Sequence, residues 1–506
     1  MHVYLISSLV LLGITILTWI PKLATTPIGI LDIIPAIFKT AQEKIFSLSG
    51  NGFGVIAFAF LIYAFLESKV LQNLFASKQE KLKQNQRPWV MVAVLTILAS
   101  MLSTGLAWYD EFILFYPLIV PLFLSLGLDN FTALLCFFGG SSAGLMGIIS
   151  PQWIREKGDG YVNSYVKSKE YEITGTSGMD FRIIAWLIFT TIVVLFNIWY
   201  CNKVYQKPSQ KLPKKALLET KKNLKKIKKP KFTGLQKIIL GVFGFFVVGS
   251  ILGEIGWFAE KINKGGKKPL WETCPEVSSS FAKKENFKVV GEVTSTETGI
   301  KPVRIAEVTE PKPSREAAWA TFGKWEGLQT CSWFIIGGIV ICLLSKQNIA
   351  TCLVKSFQKV VPIILSYLLM LTGMTIAKEA GMPNQVSKLL LSDKVTTKAG
   401  VFALFAVFLV IFLVAIFAQG ITPMLFTGIV PSLAAISANT LLYGFLIMLL
   451  ARMLACAFSP TNAILLTSLE TNEISYKEYI KKTWILWLIM FLVALGLVGF
   501  YALFHC

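Results

Sequence analysis

The stretch VFALFAVFLVIFLVAIFA, residues 401–418, is apolar at all eighteen positions and decides the class of the fold. A helix needs about 20 mainly apolar residues to cross a hydrocarbon core of about 30 Å. Because lipid offers the backbone no hydrogen-bonding partner, such a block is expected to be a helix. Blocks of this kind recur along the chain of 506 residues. We therefore predict an all-α, polytopic helical membrane protein.

The composition supports this class and excludes others. Hydrophobic residues make up 54% of the chain and charged residues 15%, whereas a soluble protein carries about 25% charged residues. The net charge of +20 is expected to reflect cytoplasmic loops and anionic lipids, so no nucleic-acid partner is predicted. The two histidines lie at the chain ends, and the eight cysteines show no metal-ligand spacing. We therefore predict no metal site and no cofactor.

The apolar blocks predict about twelve transmembrane segments, some of which are expected to be re-entrant hairpins. The candidate spans cover residues 1–20, 51–68, 88–108, 111–128, 131–150, 181–201, 235–258, 331–345, 359–377, 399–418, 423–440, 441–458 and 483–504. The first block lacks a charged n-region, so we expect an uncleaved span there. The predicted organisation is a first membrane repeat (1–201), a basic linker (202–234), the first helix of the second half (235–258), a polar insert (259–330) and the remainder of the second repeat (331–506).

The loops predict the orientation. The basic linker, residues 202–234, carries twelve lysines against Glu219, which places it in the cytoplasm beside anionic lipids. Counting spans from there puts the N-terminus in the cytoplasm and residues 259–330 outside the cell. Within that insert, residues 287–293 and 303–308 alternate in polarity around a turn-like sequence, which predicts a small β-hairpin.

An internal sequence repeat is the most informative pattern in the chain. Ile119-Val120-Pro121 is matched by Ile429-Val430-Pro431, and a second proline follows at nearly equal spacing, in Ser150-Pro151 and in Ser459-Pro460. Proline removes a backbone donor, which membrane helices tolerate where protein or a water-filled cavity binds the freed groups. The repeated motifs predict two structural repeats with helix breaks at all four prolines, an arrangement typical of transporters with discontinuous helices. The loop count favours parallel repeats, whereas inverted repeats are more usual in transporter folds. The relative orientation of the two repeats therefore stays open.

Polar residues inside or beside the apolar blocks are the candidate substrate-binding residues. Asp110 and Glu111 stand between two blocks, where an ionised acid costs about 2.5–3.5 kcal/mol unless it meets water, a cation or the interface. Arg452 needs a carboxylate from the protein or a substrate, or else it snorkels to the membrane surface. Ser141 and Ser142 lie in a small-residue run that is also typical of close helix packing. The full candidate set is Ser103, Thr104, Tyr109, Asp110, Glu111, Ser141, Ser142, Ser150, Gln419, Thr422, Arg452, Ser459, Thr461 and Asn462.

The run from Tyr109-Asp110-Glu111 through Phe115-Tyr116-Pro117-Leu118 to Gly127-Leu128-Asp129 resembles the first signature block of the YfcC/DcuC-type carriers. Phe181-Arg182-Ile183-Ile184 and Ser459-Pro460-Thr461-Asn462 are similar to later parts of that family. The resemblance implies a secondary carrier of the ion-transporter superfamily, without ATP hydrolysis. It also implies substrates such as C4-dicarboxylates, or arginine exchanged for ornithine.

The preferred hypothesis is a secondary active transporter or exchanger of amino acids, such as an arginine/ornithine antiporter, in which Asp110 and Glu111 bind the cationic group. The alternative is a C4-dicarboxylate carrier with Arg452 as the anion anchor. A third reading is a non-transporting membrane scaffold whose external insert binds partners. No enzyme is expected, because no clustered His, Asp or Glu motif is present. The coupling ion, Na⁺ or H⁺, and a homodimer stay open.

Overall fold

The computed structural model describes most of the two membrane halves and two short strands of the polar insert in the second half. The described residues are 2–42, 51–71, 73–74, 88–163, 172–205, 233–254, 286–293, 303–309, 325, 327–382, 385, 400–418 and 422–505. They form two compact units, one of residues 1–244 with 334–506 and the other of residues 245–333. In the second unit, Trp333 donates its indole N–H to the Phe246 carbonyl at 2.8 Å.

The first half is helical throughout the described residues, apart from short connections. Its helices are α1 (His2–Leu17), α2 (Ile33–Thr40), α3 (Asn51–Glu67), α4 (Pro88–Leu106), α5 (Tyr116–Ser125), α6 (Asn130–Leu134), α7 (Gly140–Met146), α8 (Pro151–Gly158) and α9 (Met179–Tyr205). A 3₁₀ helix, Asp110–Phe115, leads into α5, and a π-helical segment, Leu135–Gly139, joins α6 to α7.

The second half begins with α10 (Gly234–Glu254), which precedes the strands β1 (Asn286–Val293) and β2 (Val303–Thr309). The strands pair antiparallel with an irregularity between Val289 and Gly291, over the stretches where alternation predicts a hairpin. The later helices are α11 (Gly327–Leu344), α12 (Ile349–Glu379), α13 (Gly400–Ala418), α14 (Thr422–Ile436), α15 (Ala438–Cys456), α16 (Ala463–Thr471) and α17 (Tyr476–His505).

Several of these helices suit a bilayer. Four in the described chain are long and apolar enough to cross it: Pro88–Leu106, Met179–Tyr205, Ala438–Cys456 and Tyr476–Phe504. Shorter apolar helices accompany them at Gly54–Glu67, Asn130–Met146, Gly234–Ser250, Gln329–Leu344, Phe402–Phe417 and Leu425–Ile436. The protein is therefore a helical, multi-pass membrane protein, as the apolar blocks predict.

Polar side chains join the long helices at the centre of the first half. Asn197 of α9 donates to the Thr96 hydroxyl of α4 and to the Leu135 carbonyl, both at 3.0 Å. A π-helical segment displaces its carbonyls from the usual ladder, so an outside donor is needed there. Close packing adds to this contact, because a Cβ at Gly144 would lie 2.3 Å from the Ser100 carbonyl oxygen. The small-residue run thus serves helix packing.

The two halves repeat one order of elements. In the first, α4 and α5 are followed by α6–α7, a break, the short α8 and the long α9; in the second, α13 and α14 are followed by α15, a break, the short α16 and the long α17. The direction of the matched helices is visible at the start of α9. Gly147, just after the end of α7, lies against the backbone of Trp186 in α9. Tyr443, near the start of α15, contacts the same end of α9, because its ring centroid lies 6.4 Å from that of Phe181.

The opposite end of the bundle shows the reverse arrangement. There the ring of Tyr479 lies 6.3 Å from that of Phe131, at the start of α6, and its hydroxyl donates to the Ala457 carbonyl, just after α15. The end of α7 thus meets the start of α15, and the start of α6 meets the end of α15. The matched helices run antiparallel, so the two repeats are inverted, which answers the question that the sequence leaves open.

Two of the four predicted helix breaks need correction. Pro121 lies inside α5 and Pro431 lies inside α14, and both helices continue through them. Each proline removes one hydrogen bond of the helical ladder, and both residues stand on exposed faces of their helices. By contrast, α7 ends before Pro151 and α15 ends before Pro460, so the chain is non-helical at those two places.

Candidate functional site: the two broken segments

The first break covers residues 147–150, between α7 and α8. Gly147 makes the close approach that the break requires, because a Cβ there would lie 2.2 Å from the backbone nitrogen of Trp186. Pro151 begins α8, and a proline in the first turn of a helix sacrifices no hydrogen bond. The end of a helix leaves carbonyl groups without helical partners, so neighbouring groups must bind them.

Two neighbouring helices hold the first break. From α4, Thr104 donates its hydroxyl to the Gly147 carbonyl at 2.7 Å, and its own carbonyl accepts from the Ile149 N–H at 2.8 Å. From α9, Arg182 donates from Nη1 to the carbonyls of Ile148 at 3.3 Å and Ile149 at 3.4 Å. Arg182 is only 2% exposed, so a full positive charge is buried against this break.

The second break, residues 457–462 between α15 and α16, is held in the same way. Ser459 and Thr461 donate their hydroxyls to the Ile416 carbonyl, at 2.5 and 3.2 Å, and Ile416 lies near the end of α13, the counterpart of α4. From α17, the counterpart of α9, Tyr479 donates to the Ala457 carbonyl at 2.7 Å. Each break is therefore held by the helix that begins the matched order of elements, α4 or α13, and by the long helix that ends it, α9 or α17.

The repeat makes Arg182 the counterpart of two tyrosines. Arg182 lies in the first turn of α9, and Tyr476 and Tyr479 lie in the first turn of α17. In both repeats these side chains donate to the carbonyls two and three residues before the proline of the break. The same backbone positions are thus bound by a cation in the first repeat and by neutral phenols in the second.

A tight turn after α4 connects the two breaks. Ala107 has φ +58°, a left-handed conformation that costs a non-glycine residue about 1–2 kcal/mol, and the Ser103 hydroxyl donates to the Trp108 carbonyl across the turn. The turn directs Tyr109 toward the second break, where the Asn462 side chain donates to the tyrosine hydroxyl at 2.9 Å. Backbone strain of this kind is found at functional sites more often than elsewhere.

Asn462 organises the second break. Its Oδ1 accepts from the Ile464 N–H at 3.0 Å and so caps α16, while its Nδ2 also donates to the Cys456 carbonyl at 2.7 Å. The side chain is 1% exposed. Because both partners of Nδ2 accept hydrogen bonds, the orientation of the amide is determined by its surroundings. The chain between Thr104 and Tyr109 therefore contacts one break at each of its ends.

The structure gathers six of the predicted residues at the breaks: Thr104 and Ser150 at the first, and Tyr109, Ser459, Thr461 and Asn462 at the second. Ser103 holds the turn that follows α4. Glu111 lies beside Tyr109, because its Oε2 accepts from the Tyr109 N–H at 3.0 Å. Ser141 donates within its own turn of helix, to the Phe138 carbonyl at 3.1 Å, and Thr422 is buried at the start of α14. Gln419 and the side chain of Asp110 lie outside the described residues.

Two predicted residues carry buried polar atoms without a hydrogen-bond partner in the described chain. These atoms are the Ser142 hydroxyl oxygen on α7 and Nε of Arg452 on α15, one turn before the end of that helix at Cys456. The ion pairs formed among the described residues do not include Arg452. A carboxylate from the protein, one of the partners predicted for Arg452, is therefore not found there.

Sequence reasoning missed Arg182, Tyr476 and Tyr479 as members of the site. A charge inside an otherwise apolar block is the signal that marks Arg182, because intramembrane charges are rare and usually functional. The two tyrosines carry no such signal, since they stand in a polar stretch before the apolar part of α17. The described residues contain no group of three or more His, Cys, Asp or Glu side chains able to hold a metal ion.

Comparison with known proteins identifies a family, one protein of similar sequence and two proteins of similar structure. A protein of Haemophilus influenzae without a characterised function is 28% identical over 131 residues, which are 26% of this chain and less than a quarter, 23%, of that protein. The structure of Neisseria gonorrhoeae MtrF, described as illuminating a class of antimetabolite efflux pumps, aligns with 100% of this chain and 96% of its own at 11% identity and a TM-score of 0.42. The Alcanivorax borkumensis YdaH transporter aligns with 99% and 98% at 13% identity and a TM-score of 0.48. These two scores are too low to carry over a function.

The family model of the C4-dicarboxylate anaerobic carriers, DcuC, matches residues 69–501. This range takes in both breaks, the connecting turn and the long helices α9 and α17. The chain therefore belongs to the DcuC family of C4-dicarboxylate anaerobic carriers.

Proposed function

We propose that the protein is a secondary carrier of C4-dicarboxylates, such as succinate and fumarate. The family description supports this substrate class, and the inverted repeats with one broken segment each suit alternating access. The single observation that carries the proposal is the guanidinium of Arg452. Its buried Nε lacks a hydrogen-bond partner among the described atoms, close to the second break. A substrate carboxylate is the anion that fits a guanidinium in two parallel hydrogen bonds.

The amino-acid alternative has less support. Glu111, which it assigns to a cationic substrate, already accepts the Tyr109 N–H and takes part in further interactions. The family description names dicarboxylates, and no comparison supports arginine/ornithine exchange. Amino-acid exchange is therefore treated as one of the results that the transport experiment distinguishes.

The test uses purified protein in liposomes loaded with succinate or with ornithine. Succinate-loaded vesicles are expected to take up labelled fumarate, and ornithine-loaded vesicles are expected to leave labelled arginine outside. Arg452→Gln removes a charged hydrogen bond worth about 1.5–3 kcal/mol, so the KM for fumarate should rise about 10- to 100-fold. Lys355→Gln is the matched control, because Lys355 is exposed on α12. Exchange of arginine for ornithine alone would overturn the proposal.

The same vesicles address the direction and the coupling of transport. We propose that residues 202–234 face the cytoplasm, on account of their lysines, which cysteine labelling of intact cells tests directly. An imposed Na⁺ or pH gradient that accelerates fumarate uptake identifies the coupling ion.

A further inference from the structure

The asymmetry between the two breaks is the starting observation. In the second repeat the carbonyls two and three residues before the proline are held by the hydroxyls of Tyr476 and Tyr479, at 2.6 and 2.7 Å. Neutral donors therefore suffice to hold a break of this shape. In the first repeat the equivalent carbonyls are held by Arg182, at the longer distances of 3.3 and 3.4 Å. The charge of Arg182 is more than this task requires.

The hydrogen bonds of Arg182 leave two donors free. A guanidinium has five N–H donors. Two of them bind the break, and Nη2 uses a third on the Gly175 carbonyl at 2.7 Å. The remaining donors include Nε, which is buried and has no hydrogen-bond partner among the described residues. Two donors on one edge of a guanidinium are the number that a carboxylate accepts in a bidentate pair.

The charge of Arg182 also forms no direct ion pair within the described chain. Asp180, two residues earlier on α9, is the acid whose charge acts on Arg182, but it is exposed and forms no ion pair with the guanidinium. An exposed acid at that distance offsets only part of the cost of burying a guanidinium, so an anion from outside the chain would complete this site.

We infer that Arg182 binds one carboxylate of the transported dianion at the first break. This inference rests on the proposed function and extends it, because it assigns a second carboxylate subsite in addition to that of Arg452. The three neutral carbonyls keep the guanidinium in place, and the two free donors face the ligand. A monoanion of the same size would lose this interaction.

The experiment compares succinate with succinamate, in which one carboxylate is replaced by an amide of nearly equal shape. Binding to purified wild-type protein in detergent is measured by calorimetry. Arg182→Gln and Arg182→Tyr both remove the charge, and the tyrosine variant imitates the second repeat, so it keeps a donor for the break. The wild type is expected to prefer succinate at least tenfold, and both variants should lose that preference. Lys355→Gln, an exposed charge on α12, should keep it.

The possible results are distinct. If the folded variants bind succinate and succinamate with affinities lowered by the same factor, Arg182 only holds the backbone, and the inference fails while the proposed function stands. If the wild type binds succinamate as well as it binds succinate, the second carboxylate subsite does not exist. If the wild type binds no dicarboxylate, the proposed function and this inference both fail.

Discussion

Replacing Asn462 by alanine removes three hydrogen bonds at the second break. The cap of α16 is worth about 0.5–2 kcal/mol, and each of the two bonds donated by Nδ2 is worth about 0.5–1.5 kcal/mol. The side chain is 1% exposed, so water cannot replace these partners without entering the site. We expect Asn462→Ala to lower the free energy of unfolding by about 2–4 kcal/mol. Asn462→Asp keeps the acceptor for the cap and should recover part of that loss.

Tyr109→Phe isolates one of the three bonds. It removes only the hydroxyl that accepts from Asn462 at 2.9 Å, so the expected loss is about 1 kcal/mol. Because both single variants break the same bond, the double variant should be more stable than the sum of the two losses predicts, by about 1 kcal/mol.

The assay is reversible unfolding in mixed micelles with increasing dodecyl sulfate, applied to the wild type, both single variants and the double variant. Fluorescence of the tryptophans reports the transition. Additivity of the two losses to within about 0.3 kcal/mol would refute the reasoning, since it would mean that Tyr109 and Asn462 do not interact. A loss below about 0.5 kcal/mol for Asn462→Ala would show that the cap does not stabilise the break.

Gly147→Ala should prevent correct folding, because its Cβ would lie 2.2 Å from the Trp186 nitrogen, whereas Gly105→Ala, with no heavy atom within 4 Å of its Cβ, should behave as the wild type. The measurement is the yield of monodisperse protein on size exclusion, and equal yields for the two variants would contradict the packing argument. Asn197→Leu should cost about 1–3 kcal/mol, because it leaves the Leu135 carbonyl of the π-helical segment buried without its donor. Thermal unfolding in detergent checks this, and an unchanged midpoint would mean that the π-helical segment needs no partner.

The long helices were predictable because each contains a continuous apolar run, whereas the short helices α2 and α8 lie outside the predicted spans. Residues 401–418 leave the backbone no alternative to a helix in lipid, and α13 begins and ends within a residue of that block. The exact ends of the helices that border the candidate site were harder to predict from the sequence. The block predicted at 441–458 starts at Ala438, where Ser437 accepts the Thr440 N–H as a helix cap.

The helix breaks were only partly predictable, because proline alone does not determine one. The helix before Pro151 ends five residues earlier, at Met146, and beyond it Gly147 contacts another backbone while side chains from α4 and α9 bind the freed carbonyls. No such partners were needed at Pro121 or Pro431, where the helix continues on both sides. The information that separates these cases lies in contacts between distant parts of the chain.

The equivalence of Arg182 and the tyrosines of α17 could not be read from the sequence at all. The side chains differ in type, and Arg182 follows its proline by 31 residues whereas Tyr479 follows its proline by 19. Only the antiparallel arrangement of the repeats shows that they bind matching carbonyls.

The turn between Thr104 and Tyr109 limits how far the two breaks can move apart. Six residues extend to about 20 Å at most, and the segment contacts one break at each end. If the two breaks move apart by more than the length of this segment, the hydrogen bond between Tyr109 and Asn462 must first open. A single neutral hydrogen bond of about 1 kcal/mol opens readily at ambient temperature. The bond between Tyr109 and Asn462 is therefore a weak contact that restrains the separation of the two breaks and opens at little cost.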